Sequence, residues 1–358
     1  MLSKACLIGP YQKKLEEIAR FSDVEMLVLV PESWKTDGRE QKLERQHTNG
    51  YELNTSRIIM NGHFHLHFYP WLGQVIRRFR PDIFHIDEEP YNIAAGQAVA
   101  LAKRHNVRPV FFTWQNLNQR YPPPFSWIER YCLKHSHAIA GSDAAGQVLQ
   151  SHGFKNTLGI IPQFGVDPEI FCPIDVKSKS EDFVVGFAGR VTRQKGIRVL
   201  IEALKICGPG FTVRIAGDGP LISEFTKNGL QPELLGHITA DKMPEYLRTL
   251  DALVLPSIPS PRWREQFGRV LVEAMSCGIP VIGSNSGEIP NVVGDAGLIT
   301  QAGDYKQLAT ALKSLKNDEK LVNAFAEAGR NRVADKFSHR SIALQTVRFY
   351  RRLMLQNR

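Results

Sequence analysis

Two acids, Glu265 and Glu273, stand eight residues apart with Gly268 between them, and an apolar helical pattern (Val270, Leu271, Ala274, Met275) follows. A loop is therefore expected to give way to a helix near Gly268. Were the span wholly helical, the two Cα atoms would lie about 12 Å apart, roughly the reach from one end of a nucleotide-sugar towards its middle. The N–H groups of a helix start, together with the helix dipole, favour an anion such as a diphosphate. One acid would then meet a sugar and the other a ribose. The plainer alternative is a Glu265 that only complements the dipole and a solvated Glu273.

Other residues offer complementary chemistry. The stretch Phe187-Ala-Gly-Arg-Val-Thr-Arg-Gln-Lys-Gly196 places Arg190 and Lys195 after an apolar run. A planar fork of donors and a compact point charge can neutralise a departing diphosphate; a solvated basic loop is the competing reading. Gly217 and Gly219, in Ala216-Gly-Asp-Gly-Pro220, suit close backbone approach or a plain tight turn. His63, His65 and His67 alternate, so on a strand they would share a face. That spacing suits a metal, but without a fourth ligand a polar strand face or an acceptor edge is preferred, and no metal is expected. His85 and Asp87-Glu-Glu89 end another apolar run, facing an acceptor hydroxyl or only solvent beside a proline turn. Tyr121-Pro-Pro-Pro-Phe125, with Trp114 and Trp127, offers rings for stacking on sugars or for packing a rigid loop.

The elements that position these residues alternate. Strands are predicted at 5–9, 24–30, 81–86, 107–114 and 138–141, with helices at 11–21, 70–79, 91–105, 126–135 and 143–152. Residues 31–57 read as a long polar connection and 57–69 as partly strand-like. A polar stretch at 173–182 separates this from a second run. That run has strands at 184–189, 211–216, 234–238, 252–256 and 280–283, helices at 197–207 and 243–250, and the helix after Gly268. Strand followed by helix, repeated, predicts α/β domains with parallel sheets covered on both faces. The expected domains are an acceptor-side one at 1–175 and a donor-side one at 183–335, facing a cleft at the carboxyl ends of their strands. Residues 338–358 form a basic, imperfectly amphipathic helix that needs a surface to cover.

Composition fits this plan. A chain of 358 residues, 43% hydrophobic and 23% charged, can bury two cores. Five scattered cysteines predict neither disulfides nor a zinc site and suit a reducing cytoplasm. No apolar run reaches the roughly 18 residues of a spanning helix, and the first ten residues carry no signal-peptide pattern. The net charge of +9 is a moderate excess, +3 over residues 1–180 and +6 over 181–358. No basic run supports nucleic acid as a partner. Arg77-Arg78-Phe-Arg80 and the basic final helix leave peripheral contact with an anionic membrane open.

In this order the motifs resemble those of the retaining family 4 glycosyltransferases, which have the GT-B fold of two Rossmann-like domains. The resemblance covers nearly the whole chain. It rests on Ala188-Gly-Arg190 through Lys195-Gly196, on Ala216 to Pro220, on Glu265 and Glu273 with Ala274-Met-Ser-Cys-Gly-Ile-Pro280, and on Ile161-Pro-Gln-Phe-Gly-Val-Asp167. It implies that Arg190 and Lys195 bind a donor diphosphate, Glu265 the donor sugar and Glu273 the ribose. Backbone of Phe267, Gly268, Arg269 and Val270 would serve sugar and phosphate, Gly217 and Gly219 the nucleotide, and His237 and Ile238 the base. It also implies that the final helix crosses back to the first domain. There are three departures. Only Gly9 stands where many relatives have paired glycines, Gln115 stands at about the position of a histidine that meets the donor sugar, and Glu288 and Asn291 replace a glycine and a glutamate. A neutral amide hydrogen-bonds a hydroxyl but does not titrate near neutrality.

The implied reaction moves a sugar from a UDP- or GDP-linked donor to a hydroxyl on a glycan, lipid or small molecule. Anomeric configuration is retained, with no bound cofactor and no metal. The nucleotide-sugar is a co-substrate, and contacts around Gln115, Gln163 and Glu265 set the choice of sugar. A sugar-nucleotide epimerase, a phosphorylase on the same fold and a non-catalytic nucleotide-sugar binding protein are the alternatives.

Overall fold

The computed structural model describes residues 1–36, 38–173 and 181–356. The chain divides into two compact units, Met1–Gly165 with His339–Arg358, and Val166–Ser338. Most of the polar 173–182 stretch, residues 174–180, lies outside the described residues.

The first unit carries strands β1 (Leu2–Ser3), β2 (Leu27–Pro31), β3 (Ser33–Thr36), β4 (Arg39–Lys42), β5 (Glu52–Ser56), β6 (Ile83–Asp87), β7 (Arg108–Thr113), β8 (His137–Ala140) and β9 (Leu158–Ile160). Its helices in this span are α1 (Lys13–Ala19), α2 (Leu72–Phe79), α3 (Ile93–Arg104), α4 (Phe125–His135) and α5 (Asp143–Ser151). Seven strands form one sheet, ordered β5-β2-β1-β6-β7-β8-β9 and parallel throughout. Helices cover both faces, so the central strands are apolar on both sides and Val28, Val30, Ile86, Val110 and Phe111 are fully buried. Helix α5 starts where Ser142 Oγ accepts from Ala145 N at 3.2 Å.

Three expectations are corrected here. Residues 5–9 are not a strand: β1 ends at Ser3, whose Oγ accepts from Cys6 N, and Ala5–Leu7 and Gly9–Gln12 wind as 3-10 turns. The 31–57 connection holds the antiparallel β3–β4 hairpin and the sheet-edge strand β5. Residues 57–69 are not strand-like beyond one bridge, Ile59 with Phe68, because Met60 and Gly62 take positive φ angles of 60° and 89° and turn the chain back. His63, His65 and His67 therefore share no strand face, and no metal-binding cluster occurs among the described residues.

The second unit contains β10 (Phe183–Ala188), α6 (Ile197–Cys207), β11 (Phe211–Ala216), α7 (Ser223–Lys227), β12 (Glu233–Gly236), α8 (Met243–Arg248), β13 (Ala252–Leu255), α9 (Arg269–Ser276), β14 (Val281–Ser284), α10 (Ile289–Val293), β15 (Gly297–Thr300), α11 (Tyr305–Asn317) and α12 (Glu319–Arg332). Its six strands are parallel, ordered β12-β11-β10-β13-β14-β15. Asp304 and Asp318 cap α11 and α12 through Gln307 N at 2.9 Å and Leu321 N at 3.0 Å.

The final helix, α13 (His339–Leu355), belongs to the first unit. Its two faces look mixed in sequence because it is buried on two sides. Ile342, Phe349 and Leu353 pack with Val110, Phe112 and Ile139 of the sheet and with Ile161 just past β9, while Ala343 and Val347 meet Ile18 of α1. Arg351, one of its basic residues, pairs with Asp23 at 2.7 and 2.9 Å.

Both sheets share one topological feature. From its first strand each chain winds outward in one direction, then returns to lay a later strand on the other side: β1 sits between β2 and β6, and β10 between β11 and β13. The loops leaving those paired strands part at their carboxyl ends, which opens a ligand crevice.

Candidate active site

In the second unit the loop after β10 carries Arg190 and Lys195, and the segment after β13 carries Ser257, Trp263 and Glu265. These adjacent strands bring residues 70 positions apart into contact: Lys195 Nζ donates to Glu265 Oε2 at 2.6 Å. Ser257 Oγ donates to the same oxygen at 2.9 Å, and Lys195 Nζ lies 5.5 Å from the centre of the Trp263 ring. Glu265 is buried despite its charge, which a charge-assisted bond and a hydroxyl make tolerable. Arg190 is exposed on the same loop, with no ion pair among the described residues.

Backbone packing fixes this arrangement. Gly287 has φ +57°, and a Cβ there would stand 1.9 Å from the Glu265 carbonyl oxygen, which also accepts from Glu288 N at 3.2 Å. At Gly196, φ +75°, a Cβ would stand 1.8 Å from the Pro256 carbonyl oxygen. Gly217 and Gly219 lie against the Arg190 loop: their Cβ atoms would fall 2.0 Å from Gly189 O and 2.5 Å from Val191 O. Hydrogen bonds from Gly189 N to Ala216 O and from Val191 N to Asp218 O, both 2.9 Å, stitch the two turns together. The close approach these glycines permit is thus to the neighbouring loop.

Gly268, in the left-handed region at φ +78°, begins α9, and no side chain caps it. Phe267 packs edge-on against Phe337 with ring centres 5.7 Å apart, while Val270 joins the apolar core. One helical turn on, Arg269 Nε donates to Glu273 Oε1 at 2.8 Å. Burial pushes the Glu273 carboxyl above its ordinary range, and Arg269 opposes the rise. His237 is exposed and Ile238 half-buried just past β12.

In the first unit Gly9 and Gln115 are engaged locally. Gly9 N donates to Glu44 Oε2 at 2.9 Å. The Gln115 amide donates to Leu117 O at 3.3 Å and Gln119 O at 2.9 Å, folding its own loop. The β1–β6 crevice holds a polar network instead. Ser3 bonds Asp87 and Lys4 pairs with Glu88, while His67 Nε2 contacts the other Glu88 oxygen at 3.1 Å. Gln163 joins Asp87 Oδ1 at 2.6 Å to the Trp114 indole N–H at 2.7 Å. Burial opposes charge on Glu88, yet Lys4 and His67 hold its carboxyl at about 2. Burial drives Asp87 upward, and it drives Glu89 to about 7 against hydrogen bonds from Thr113 Oγ1 at 2.5 Å and Trp114 N at 2.8 Å.

Residues 16–170 match the family model Glycosyltransferase Family 4, and residues 173–332 match Glycosyl transferases group 1. Over 298 residues the chain is 31% identical to glycogen synthase of Mycobacterium tuberculosis, covering 76% of this chain and 69% of that protein. The chain belongs to the family 4 glycosyltransferases. Capsular polysaccharide biosynthesis glycosyltransferase CapM of Staphylococcus aureus is 32% identical over 223 residues, which is 59% of this chain and 57% of CapM. The match thus spans little more than half of that relative. In structure the chain is similar to Anabaena Alr3699/HepE, solved with UDP: TM-score 0.69, 98% of both chains covered, 20% identity. That likeness concerns the fold, and the two Rossmann-like domains are those of the GT-B class.

Within this family 4 glycosyltransferase, sequence reasoning named Arg190 and Lys195 on the loop after one strand, Glu265 ahead of a helix start and Glu273 within that helix, and the structure joins Lys195 to Glu265. It missed Ser257, Trp263 and Gly287. Ser257 is the first polar residue after the buried strand β13 and its Pro256, a position that points at a crevice wherever a parallel strand ends. Trp263 and Gly287 left no such mark.

Proposed function

We propose that this glycosyltransferase moves a sugar from a UDP- or GDP-linked donor to a hydroxyl acceptor, retaining anomeric configuration and needing no divalent metal. The observation that carries the reading is the Lys195–Glu265 pair at the switch point of the second sheet, beside a helix start without a side-chain cap. Lys195 has three N–H donors and spends one on Glu265, so others can meet a diphosphate oxygen. Arg190, exposed on the same loop, supplies a second cation, and the start of α9 adds backbone donors. Together they stabilise the charge that develops on the leaving diphosphate. Glu265, fixed by Lys195 and Ser257, accepts from donor-sugar hydroxyls, and Glu273 accepts from the ribose once Arg269 yields one oxygen. Neutralisation comes from side chains and the helix start, so no step requires a metal. HepE, solved with UDP, supports a uridine donor. Five unpaired cysteines suit a reducing, cytoplasmic setting; no helix among the described residues is long and apolar enough to cross a membrane.

The test is direct. Thermal shifts with UDP, GDP and their sugars identify the donor, because a ligand that binds the folded state raises its melting point. Glu265→Gln is expected to lower turnover by about 10²–10³-fold, the range for removing one preorganised charge contact, while the protein stays folded. Turnover and donor affinity both at wild-type level in Glu265→Gln would overturn the role given to Glu265. Activity unchanged in EDTA is the expected result for metal independence, and loss restored by Mg²⁺ or Mn²⁺ the contrary one.

A further inference from the structure

Scattered as the cysteines are in sequence, two of them are brought together within the second unit. The segment Phe171-Cys172-Pro173 lies along the end of α9, Ser276-Cys277-Gly278, and contacts flank the cysteines on both sides. Ser276 Oγ donates to Phe171 O at 2.6 Å, and a Cβ on Gly278 would stand 3.4 Å from Cγ of Pro173. Cys172 and Cys277 are the residues between. Phe171 and Cys277 share one apolar cluster, and negative charge on Cys172 opposes ionisation of Cys277.

The two sulfurs differ in their surroundings. Cys277 is buried, and burial pushes its thiol up to about 12 against the pull of Arg248, with Glu273 one turn earlier adding to the rise. Cys172 is half-buried, and Arg248 Nη2 donates to its Sγ at 3.3 Å. Arg248, the last residue of α8, is fixed in that position: its Nε donates to Cys172 O at 2.8 Å and its Nη2 to Ile170 O at 2.7 Å. A reachable sulfur against a guanidinium is the setting of a reactive cysteine, and a second thiol beside it is the setting of a resolving one. Elsewhere the surroundings differ. Cys6 and Cys132 are buried in the first unit, where burial raises both thiols, and Cys207 Sγ faces Ala309 O at 3.8 Å.

We propose that Cys172 and Cys277 form a peroxide-sensitive dithiol, closing to a disulfide that weakens the hold of α9 on the donor nucleotide. The Cys172 sulfur attacks one oxygen of hydrogen peroxide. The O–O bond breaks, hydroxide leaves and takes up the thiol proton as water, and Cys172 becomes a sulfenic acid. The Cys277 sulfur then attacks the sulfenic sulfur, the S–O bond breaks, and the hydroxyl leaves with the Cys277 proton as a second water. Two thiols give up two electrons, and the peroxide is reduced to two waters. The new bond pulls on Cys277, whose amide closes the last turn of α9 on Glu273 O at 3.2 Å, so the pull reaches the residue assigned to the ribose. That consequence rests on the glycosyl-transfer reading above, whereas the dithiol itself does not. In a reducing compartment such a bond is transient, as disulfides there usually are.

The experiment treats the reduced full-length protein with hydrogen peroxide, digests it without reduction for mass spectrometry, and measures UDP and GDP affinity before oxidation, after it, and after dithiothreitol. A peptide linked through Cys172 and Cys277 is expected, with several-fold weaker nucleotide binding that dithiothreitol restores. Cys172→Ser should keep the reduced protein's affinity and lose the response to peroxide. Cys277→Ala should stop at a Cys172 sulfenic acid that dimedone traps. Wild type yielding no linked peptide would overturn the dithiol. A linked peptide with nucleotide affinity within twofold of the reduced protein would overturn the coupling to α9. Reduced protein that binds neither nucleotide would overturn the donor reading, and the linked peptide would still decide the dithiol.

Discussion

Gly287 and Gly229 offer a controlled comparison, because both take positive φ and only one is crowded. At Gly229, φ +78°, a Cβ meets nothing within 4 Å; at Gly287, φ +57°, it falls 1.9 Å from Glu265 O, 2.9 Å from Glu265 C and 3.1 Å from Glu265 N. Backbone conformation alone costs an alanine about 1–2 kcal/mol at either place, and if anything less at Gly287, whose φ lies nearer the left-handed minimum. The contact reverses that order. Ordinary contact for such a Cβ begins at 3.4 Å, so the Glu265 carbonyl must move by more than an ångström, at a further cost of about 1–3 kcal/mol of the kind seen on overpacking. The same movement weakens the Glu288 N to Glu265 O bond and draws the carboxylate away from Lys195. Gly287→Ala should therefore lose about 2–5 kcal/mol, and Gly229→Ala about 1–2 kcal/mol. Urea denaturation followed by far-UV circular dichroism measures the first, and titration with nucleoside diphosphate, where at least a tenfold weakening is expected for Gly287→Ala alone, measures the second. Equal stability in the two variants, with equal affinity for nucleotide, would refute the view that Gly287 exists to let Glu265 lie where it does.

Glu89 also makes a stability prediction independent of activity. Its carboxyl is raised from 4.5 to about 7 on folding, so the folded state holds a proton the unfolded chain has released, and stability is lost as pH rises from about 4.5 through 7, by roughly 3 kcal/mol in all. Glu89→Gln should remove that loss and be the more stable protein at pH 8, as read by melting temperature at pH 4.5 and pH 8. Glu273, also raised, should behave in the same sense: the stability of Glu273→Gln relative to wild type should improve as pH rises, less steeply because Arg269 compensates its charge. Tyr350 OH bonds His85 Nδ1 at 2.5 Å within the first unit; Tyr350→Phe, which leaves a buried imidazole nitrogen unpaired, should cost about 1–3 kcal/mol in denaturant melts without altering nucleotide binding.

The alternation of strands and helices was legible because parallel strands covered on both faces are near-continuous apolar runs, as in residues 109–112 and 252–256. What misled was local. Residues 5–9 are apolar enough for a strand, yet β1 is cut short by Ser3, which turns to bond Asp87 and the Cys6 amide. That partner lies 84 residues away and leaves no local trace. The alternating histidines fitted a strand face, but period two carries no information once Met60 and Gly62 reverse the chain. His67 then finds Glu88, and His65 finds the rings of Tyr91, Tyr121 and Phe125. Lys195 and Glu265 could be named from motifs, whereas their contact depends on β10 and β13 being neighbours, a fact of sheet order alone.

The two switch points solve the same problem with different materials. Each sets a lysine after the first strand of its sheet against a glutamate after the strand returning beside it: Lys4 with Glu88, and Lys195 with Glu265. In the second unit the walls are backbone. Gly196, Gly217, Gly219 and Gly287 each bring main chain against main chain where a Cβ would collide, so the crevice is rigid and most side-chain substitutions there would have to move a strand end. In the first unit the walls are side chains, Ser3 to Asp87 to Gln163 to Trp114, which can be exchanged without shifting the sheet. A backbone-built crevice suits a part common to many donors, the diphosphate, because amide groups and a helix start do not vary with sequence. A crevice built of side chains suits the variable partner. That asymmetry predicts that substitutions changing acceptor choice will be found among residues such as Glu89 and Tyr121, and that the same number of changes around Gly217 and Gly287 will abolish activity rather than redirect it.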